Sequence, residues 1–392
     1  MRARRARGAA TAPRRGSGVR VLVAHNRYRL HGGEERAVDL QLAAFERAEI
    51  AHRALFRDSK ETSAPHAARS MLRGGDDPEG VSRAVADLRA DIAHFHNMHP
   101  LFGHRALQAA KDAGARTVLH LHNYRVFCAI AIAFRDGDDC FRCRGRRTVP
   151  GLVLNCRDSV PQSAVYTAAL AAHQPRVFDA VDAFVTPSRY AADRLIRLGL
   201  PEDRLSVVAN YLPDDEIAAE SRAHAGEYAL FAGRLSVEKG AAYAIDAVRK
   251  SGVPLKVAGD GPLEDELRHR AAGASVEFLG RVPGPEVKRL LSGAALAVVP
   301  SISGDVMPFA ALEAMAAGVP VAASNAGSLP EVLGPDSCVP KKDAAALANR
   351  VDALWREPAR RKAEGEAGIA RARERFGEQR YLRELLAVYE AG

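Results

Sequence analysis

The feature that most limits the fold of this chain is an alternation of short, almost continuously apolar runs with longer helical stretches. Val19–His25, Ile92–His96, Thr117–His122, Ala183–Thr186 and Leu205–Ala209 form one set of runs. Tyr228–Gly233, Leu255–Ala258, Val276–Leu279, Leu296–Val299 and Val319–Ala322 form a second. A run that is apolar at successive positions has no face left for water. Each is therefore expected as a strand of a parallel sheet covered by helices on both sides. Two sets predict an α/β protein of two doubly wound domains, for which 392 residues give ample core. The break is expected near Asn210–Gly226, where Pro213-Asp214-Asp215 and a polar stretch interrupt the pattern. Phe376–Tyr389 reads as a final helix with Leu382, Leu385, Leu386 and Tyr389 on one face. No strand follows it, so it must pack on something already built.

Charge adds less than the total suggests. The formal charge is +8, but Arg2, Arg4, Arg5, Arg7, Arg14 and Arg15 supply six of those charges, leaving +2 on the rest. Residues 1–18 have no apolar periodicity and read as a disordered basic tail, a solvated extension. Ala9-Ala10-Thr11-Ala12-Pro13 is not the apolar stretch of a signal peptide, which leads to a cytoplasmic expectation. No apolar run approaches the ~18 residues of a membrane span; Cys128–Phe134 is among the longest. Basic and aromatic residues are not interleaved as in a nucleic-acid surface, so no nucleic-acid partner is expected. Arg142, Arg144, Arg146 and Arg147 offer at most a peripheral contact with the inner face of the plasma membrane.

Ligands of open parallel sheets bind at the carboxyl ends of the strands, so the residues just after each run carry the functional argument. His31-Gly32-Gly33 precedes a helix, where glycines let backbone N–H groups approach an anion; a tight turn explains the pair equally well. Arg234 and Lys239 lie five apart in a strand-to-helix loop, suited to phosphate oxygens as fork and point charge. Asp305 and Glu313 are eight apart, before and inside the next such helix. Both reach the space at its N-terminus, where their carboxylates suit sugar hydroxyls and the free N–H groups of Phe309 and Ala310 suit oxygen acceptors. His94/His96 and His120/His122 close two first-half strands, each pair on one face. No neighbouring acid completes a metal ligand set, so separate roles are expected for them.

Four of the five cysteines cluster as Cys128, Cys140-x-x-Cys143 and Cys156. Such a set either builds a structural zinc site or remains as reduced, redox-active or packed thiols. If metal binds, it shapes the wall that follows His122. Cys338 stands apart as a small packed residue.

These motifs together resemble the family 4 glycosyltransferases. They are His-Gly-Gly at 31–33, Leu-His-Asn-Tyr-Arg at 121–125, Gly-Arg-Leu-Ser-Val-Glu-Lys-Gly at 233–240, Gly-Asp-Gly-Pro-Leu at 259–263, Phe-Leu-Gly-Arg-Val at 278–282 and Met-Pro-Phe-Ala-Ala-Leu-Glu-Ala-Met-Ala-Ala-Gly at 307–318. The resemblance implies the GT-B fold: an acceptor-side Rossmann-like domain over 19–212, a donor domain over 213–375, and a crossover helix, 376–392, returning to the first domain. It implies a nucleotide-diphosphate sugar donor, transfer with retention of anomeric configuration, and no catalytic metal. A saccharide or lipid-linked acceptor follows from bacterial relatives. Carried over by motif, Gly33 lies near the donor phosphates, with Gly32 beside it, and His122 beside the reacting sugar. Arg234 and Lys239 hold the pyrophosphate and stabilise the leaving group, Glu313 bonds the ribose, and Phe309 and Ala310 offer N–H groups. The family's first acid is usually Glu. Asp305 is shorter by one carbon–carbon bond, ~1.5 Å, which bears on donor-sugar identity. A nucleotide-sugar epimerase on the same fold, and a degenerate nucleotide-sugar-binding protein, are the alternatives. Product from donor alone would mark the first.

Overall fold

The computed structural model describes residues 18–28 and 32–391. The basic tail, apart from Gly18, and His31 lie outside the described residues. In chain order the first half contains β1 (Arg20–Arg27), α1 (Gly33–Arg47), β2 (Ala51–Asp58), α2 (Ala64–Arg73), α3 (Pro78–Leu88), β3 (Ile92–Phe95), α4 (Gly103–Asp112) and β4 (Arg116–His120). It continues through a small hairpin, β5 (Phe134–Arg135) and β6 (Asp138–Asp139), then α5 (Val149–Val153), α6 (Val160–Ala180), β7 (Ala183–Thr186), α7 (Arg189–Leu198) and β8 (Leu205–Val207). Its main sheet has the order β2-β1-β3-β4-β7-β8, with every pairing parallel.

The second half contains β9 (Tyr228–Ala232), α8 (Ala241–Ser251), β10 (Leu255–Ala258), α9 (Glu264–Arg270), β11 (Val276–Gly280), α10 (Gly284–Ser292) and β12 (Ala294–Val299). Then come α11 (Phe309–Ala316), β13 (Val321–Ser324), α12 (Leu329–Leu333), β14 (Cys338–Val339), α13 (Ala344–Arg356), α14 (Pro358–Phe376) and α15 (Glu378–Glu390). The sheet order is β11-β10-β9-β12-β13-β14, again all parallel. Strand order reverses between β1 and β3 in one sheet and between β9 and β12 in the other. Loops leave the sheet edge in opposite directions at such a point and open a crevice.

Burial explains why the apolar runs were informative. Val21, Leu22, Val23 and Ala24 of β1 are wholly inaccessible, because helices cover both faces. Leu22, Phe95 and Leu119 pack with Phe102, Leu107 and Val177 on one face. Val21, Val23 and Val118 pack on the other with Phe45 of α1 and with Tyr381, Leu385 and Tyr389 of α15. The final helix is therefore part of the first domain's core. Where the chain returns to that domain, the Leu212 N–H donates to Phe376 O at 2.9 Å and the Tyr211 and Tyr381 rings stack 4.7 Å apart.

Two strands escape the apolar criterion. β2 is an edge strand whose residues are half-buried or exposed and include Arg53 and Arg57. Charged residues on an edge strand discourage pairing with another chain. β14 has only two residues. β4 also ends at His120, so His122 lies in the loop beyond the strand expected to hold it.

Candidate active site

Gly32, Gly33, Arg234, Lys239, Asp305, Phe309, Ala310 and Glu313 all border one cavity of about 640 Å³ between the two sheets' carboxyl edges. The second domain supplies most of it from the loops after β9 and β12, which flank its switch point. Those loops touch because Gly240 takes φ of 70°, and a Cβ there would lie 2.0 Å from Pro300 O. Gly259 works similarly: its Cβ would lie 1.9 Å from Gly233 O, so the Gly-Asp-Gly turn packs against the β9 loop.

This approach brings Lys239 Nζ to 2.9 Å from both oxygens of Asp305. Ser301 Oγ donates to Asp305 Oδ2 at 3.0 Å. The pair keeps the ammonium extended toward the cavity. Arg234 is exposed on the same wall and has no ion-pair partner among the described residues, so its fork is available to a ligand. Phe309 and Ala310 open α11, where first-turn N–H groups have no intrahelical acceptor.

Glu313, one turn into α11, is mostly buried, and burial pushes its carboxyl up while Arg36 pulls it down. Arg36 of α1 reaches across from the first domain, with Nη1 2.6 Å from Glu313 Oε1 and Nη2 2.9 Å from Glu216 Oε2. Its guanidinium also lies 5.2 Å from the Phe309 ring centroid. Sequence reasoning missed Arg36. A single cation inside a helix gives no signal, and its partners are remote in the chain. Replacing Arg36 with alanine leaves Glu313 buried without a counter-charge. Loss of a charged hydrogen bond costs about 1.5–3 kcal/mol of folding stability, and donor affinity is expected to fall because Glu313 is no longer held at the cavity wall. A donor titration of Arg36→Ala checks this; unchanged affinity would place Arg36 outside the site.

The glycine pair divides in role. The Gly32 N–H is already held by Glu35 Oε2 at 2.9 Å, and Glu35 Oε1 accepts from the Tyr28 N–H at 2.9 Å. Gly33 opens α1 and faces Phe309 across the cleft, where a Cβ would meet the ring at 3.4 Å.

His122 is not on the wall of this cavity. It lines a smaller neighbouring pocket with His96, His120 and Gln41, and Phe309 borders both spaces. The four histidines expected to act separately are stacked: ring centroids are 4.6 Å apart for His94/His96, 5.3 Å for His96/His120 and 4.1 Å for His120/His122. His96 Nδ1 lies 2.8 Å from His122 Nε2, and His94 Nδ1 lies 2.6 Å from Tyr389 Oη on α15. The stack thus links the final helix to His122. Burial holds all four imidazoles neutral, driving His120 down to about 3 and lowering the others too.

Beyond the acceptor side that the cysteine-rich segment was expected to border, its hairpin also reaches the second domain. Asp139 Oδ1 accepts from the Gly304 N–H at 3.2 Å, next to Asp305, and pairs with Arg194 at 3.0 Å. Lys341 Nζ lies 2.9 Å from Asp138.

Among solved structures, the chain superposes on HepE of Anabaena, a complex with UDP and glucose, with a TM-score of 0.63 at 15% identity, covering 94% of this chain and 98% of that one. It superposes on the sucrose-phosphate synthase of Thermosynechococcus elongatus with a TM-score of 0.67 at 17% identity, covering 93% and 99%. These likenesses show the GT-B fold. Among curated proteins it is 30% identical over 193 residues to the amylovoran biosynthesis glycosyltransferase AmsK of Erwinia amylovora, covering 44% of this chain and 47% of that one. It is 33% identical over 179 residues to the putative colanic acid biosynthesis glycosyltransferase WcaL of Escherichia coli K12, covering 40% and 43%. The matches span less than half the length of either relative. Residues 214–371 match the family described as Glycosyl transferases group 1. Residues 15–216, more than half of the chain, match Glycosyltransferase Family 4, and to that family the chain belongs.

Proposed function

We propose that the protein moves a sugar from a nucleotide-diphosphate sugar to a saccharide or lipid-linked acceptor, with retention, in the synthesis of a cell-surface polysaccharide or glycoconjugate. The observation that carries this is the convergence of Arg234, Lys239, Asp305, Glu313 and the α11 N-terminus on one interdomain cavity. The names of AmsK and WcaL, which place them in amylovoran and colanic acid biosynthesis, support the pathway class.

Cleavage of the sugar–phosphate bond develops positive charge on the sugar and negative charge on the departing pyrophosphate. Arg234 and Lys239 meet the second charge where it grows, from fixed positions, which lowers the barrier without reorganisation. Asp305 orients Lys239 and presents its carboxylate to sugar hydroxyls. Glu313, held by Arg36, accepts hydrogen bonds from the ribose. The departing phosphate guides the acceptor hydroxyl to the same face of the sugar, giving retention. His122 acts from below, across Phe309, and His96 fixes which of its nitrogens carries the proton.

A lipid-linked acceptor fits the exterior of the cysteine-rich segment. Val149, Val153 and Val160 are 65%, 76% and 60% exposed, beside exposed Arg144, Arg146 and Arg147. Apolar side chains among cations suit the surface of an anionic bilayer. Among the described residues no helix is long and apolar enough to cross a membrane.

A thermal-shift screen with UDP-, GDP-, ADP- and TDP-sugars tests donor binding. At a hundredfold excess over Kd, binding to the folded state adds about 2.7 kcal/mol to stability. One base is expected to raise the midpoint, with a smaller shift in Lys239→Ala. The absence of a shift for every donor contradicts the proposal.

A further inference from the structure

The proposed transfer leaves four cysteines without a task. Cys128 lies in an irregular turn beyond β4, Cys140 directly after the hairpin, Cys143 in the following loop and Cys156 after α5. The fold brings all four to the wall of one small cavity of about 20 Å³, room for a water or a single ion. None forms a disulfide, and each is half-buried.

The surrounding backbone is bent toward the sulfurs. Ala131 and Ala133 take φ of 71° and 46°, a left-handed conformation that alanine adopts only when its surroundings enforce it. The N–H groups of Ile130, Ala131 and Ala133 face the Cys128 sulfur, and that of Gly151 faces Cys143. Arg135 Nη1 lies 3.6 Å from Cys156 Sγ. Burial raises the Cys128 and Cys143 thiols, and the backbone donors oppose it in part, toward the thiolate that ligates metal. Between Cys128 and Arg157 there are six arginines and three aspartates, an excess of positive charge suited to an anionic tetrathiolate centre. The segment has little regular structure of its own. Its hairpin pairs two residues with two, α5 has five residues, and Ile132 and Phe141 are exposed. A two-stranded hairpin is marginal without further support.

We propose that Cys128, Cys140, Cys143 and Cys156 bind one zinc ion in a tetrahedral tetrathiolate site that fixes the shape of the segment, whose hairpin meets the second domain through Asp138 and Asp139. Each thiol releases its proton to solvent as its Zn–S bond forms, and zinc keeps its +2 state. Four thiolates match the ligand number of a closed structural zinc site. Among the described residues only His94, His96 and His120 already hold three ligand atoms within 4.8 Å of one another. Zinc binding therefore draws the four sulfurs inward from the cavity wall. The histidines themselves are poorly disposed for a metal. Imidazole lone pairs lie in the ring plane, and the His94 and His96 planes are 4° apart and face to face. His94 Nδ1 is also committed to Tyr389 and Gln41.

The test uses the full chain, purified without chelator from cells supplied with zinc. Elemental analysis is expected to give about one zinc per chain. C140S and C143S lose it, and C338S retains it. Cobalt(II) added to chelator-stripped protein is expected to give the intense visible bands of a tetrahedral cobalt thiolate. Should the serine variants fail to fold, the unaltered chain still decides: four thiols resist a thiol reagent until chelator is added. Zinc-free protein with no cobalt–thiolate spectrum and all thiols reacting at once overturns the site. An iron–sulfur chromophore overturns it too. Neither outcome bears on donor binding, which is read separately with nucleotide sugars.

Discussion

Lys239→Ala is expected to lower turnover by about 10²–10³-fold, the usual effect of removing one donor aimed at charge that develops in the transition state. The fold should barely notice. The Lys239–Asp305 pair is partly open to solvent, with side chains 31% and 18% exposed, and such pairs contribute about 1 kcal/mol or less. Asp305 keeps its bond from Ser301. Arg234→Ala should reduce turnover comparably with even less effect on stability, because the exposed guanidinium has no ion-pair partner among the described residues. Donor turnover and thermal unfolding measured on both variants separate the two effects. Full turnover in Lys239→Ala would remove that residue from the chemistry. A collapse in stability would assign it to the fold.

Stability is expected to fall steeply as pH drops below about 6.5, the ordinary value for histidine. His94, His96, His99, His120 and His122 are all pushed down by burial, His99 and His120 to about 3. Above pH 6.5 both folded and unfolded forms hold these rings neutral, and they contribute no pH dependence. Below it the unfolded chain binds protons that the folded chain refuses, so stability is lost as pH falls. Each ring contributes up to about 1.4 kcal/mol per pH unit. Five together remove a typical folding free energy of about 5–15 kcal/mol within roughly one to three pH units. Glu34 and Glu313 work in the opposite direction, since burial raises their carboxyls, but they are two groups against five. Among the described residues, neither His120 ring nitrogen has a hydrogen-bond partner. His120→Leu should flatten the slope by about one proton, or about 1.4 kcal/mol per pH unit. Urea unfolding at pH 7, 6 and 5 checks both statements. Equal stability at all three would mean that the stack binds protons without cost.

The sequence was most informative where burial is extreme. Both faces of β1, β3, β9 and β12 are covered, so their apolar runs announce parallel strands. The donor wall was equally legible, because Arg234, Lys239 and Asp305 lie in the loops that follow such strands and Glu313 in the first turns of the next helix. Legibility ended where the determining contact lies far away in the chain. Arg36 owes its place to Glu216 and Glu313, neither of them near it in sequence. Asp139 belongs to a hairpin of short strands, and only the folded chain shows it holding Gly304 of the opposite domain. The His-x-His pairs were visible, but their stacking depends on β3 lying beside β4 in the register that pairs His94 with Val118. β2 stayed hidden because an edge strand needs no apolar run.

Retaining sugar transfer from a nucleotide donor is tested most directly by NMR of the anomeric proton. The protein is incubated with the donor that stabilises it, first with water alone as acceptor and then with candidate saccharides. The expected first-formed sugar keeps the donor's anomeric configuration, and its release slows by about 10²–10³-fold in Lys239→Ala. An inverted first product contradicts the proposed mechanism. A donor returned with a changed ring stereocentre and no released sugar would instead mark an epimerase.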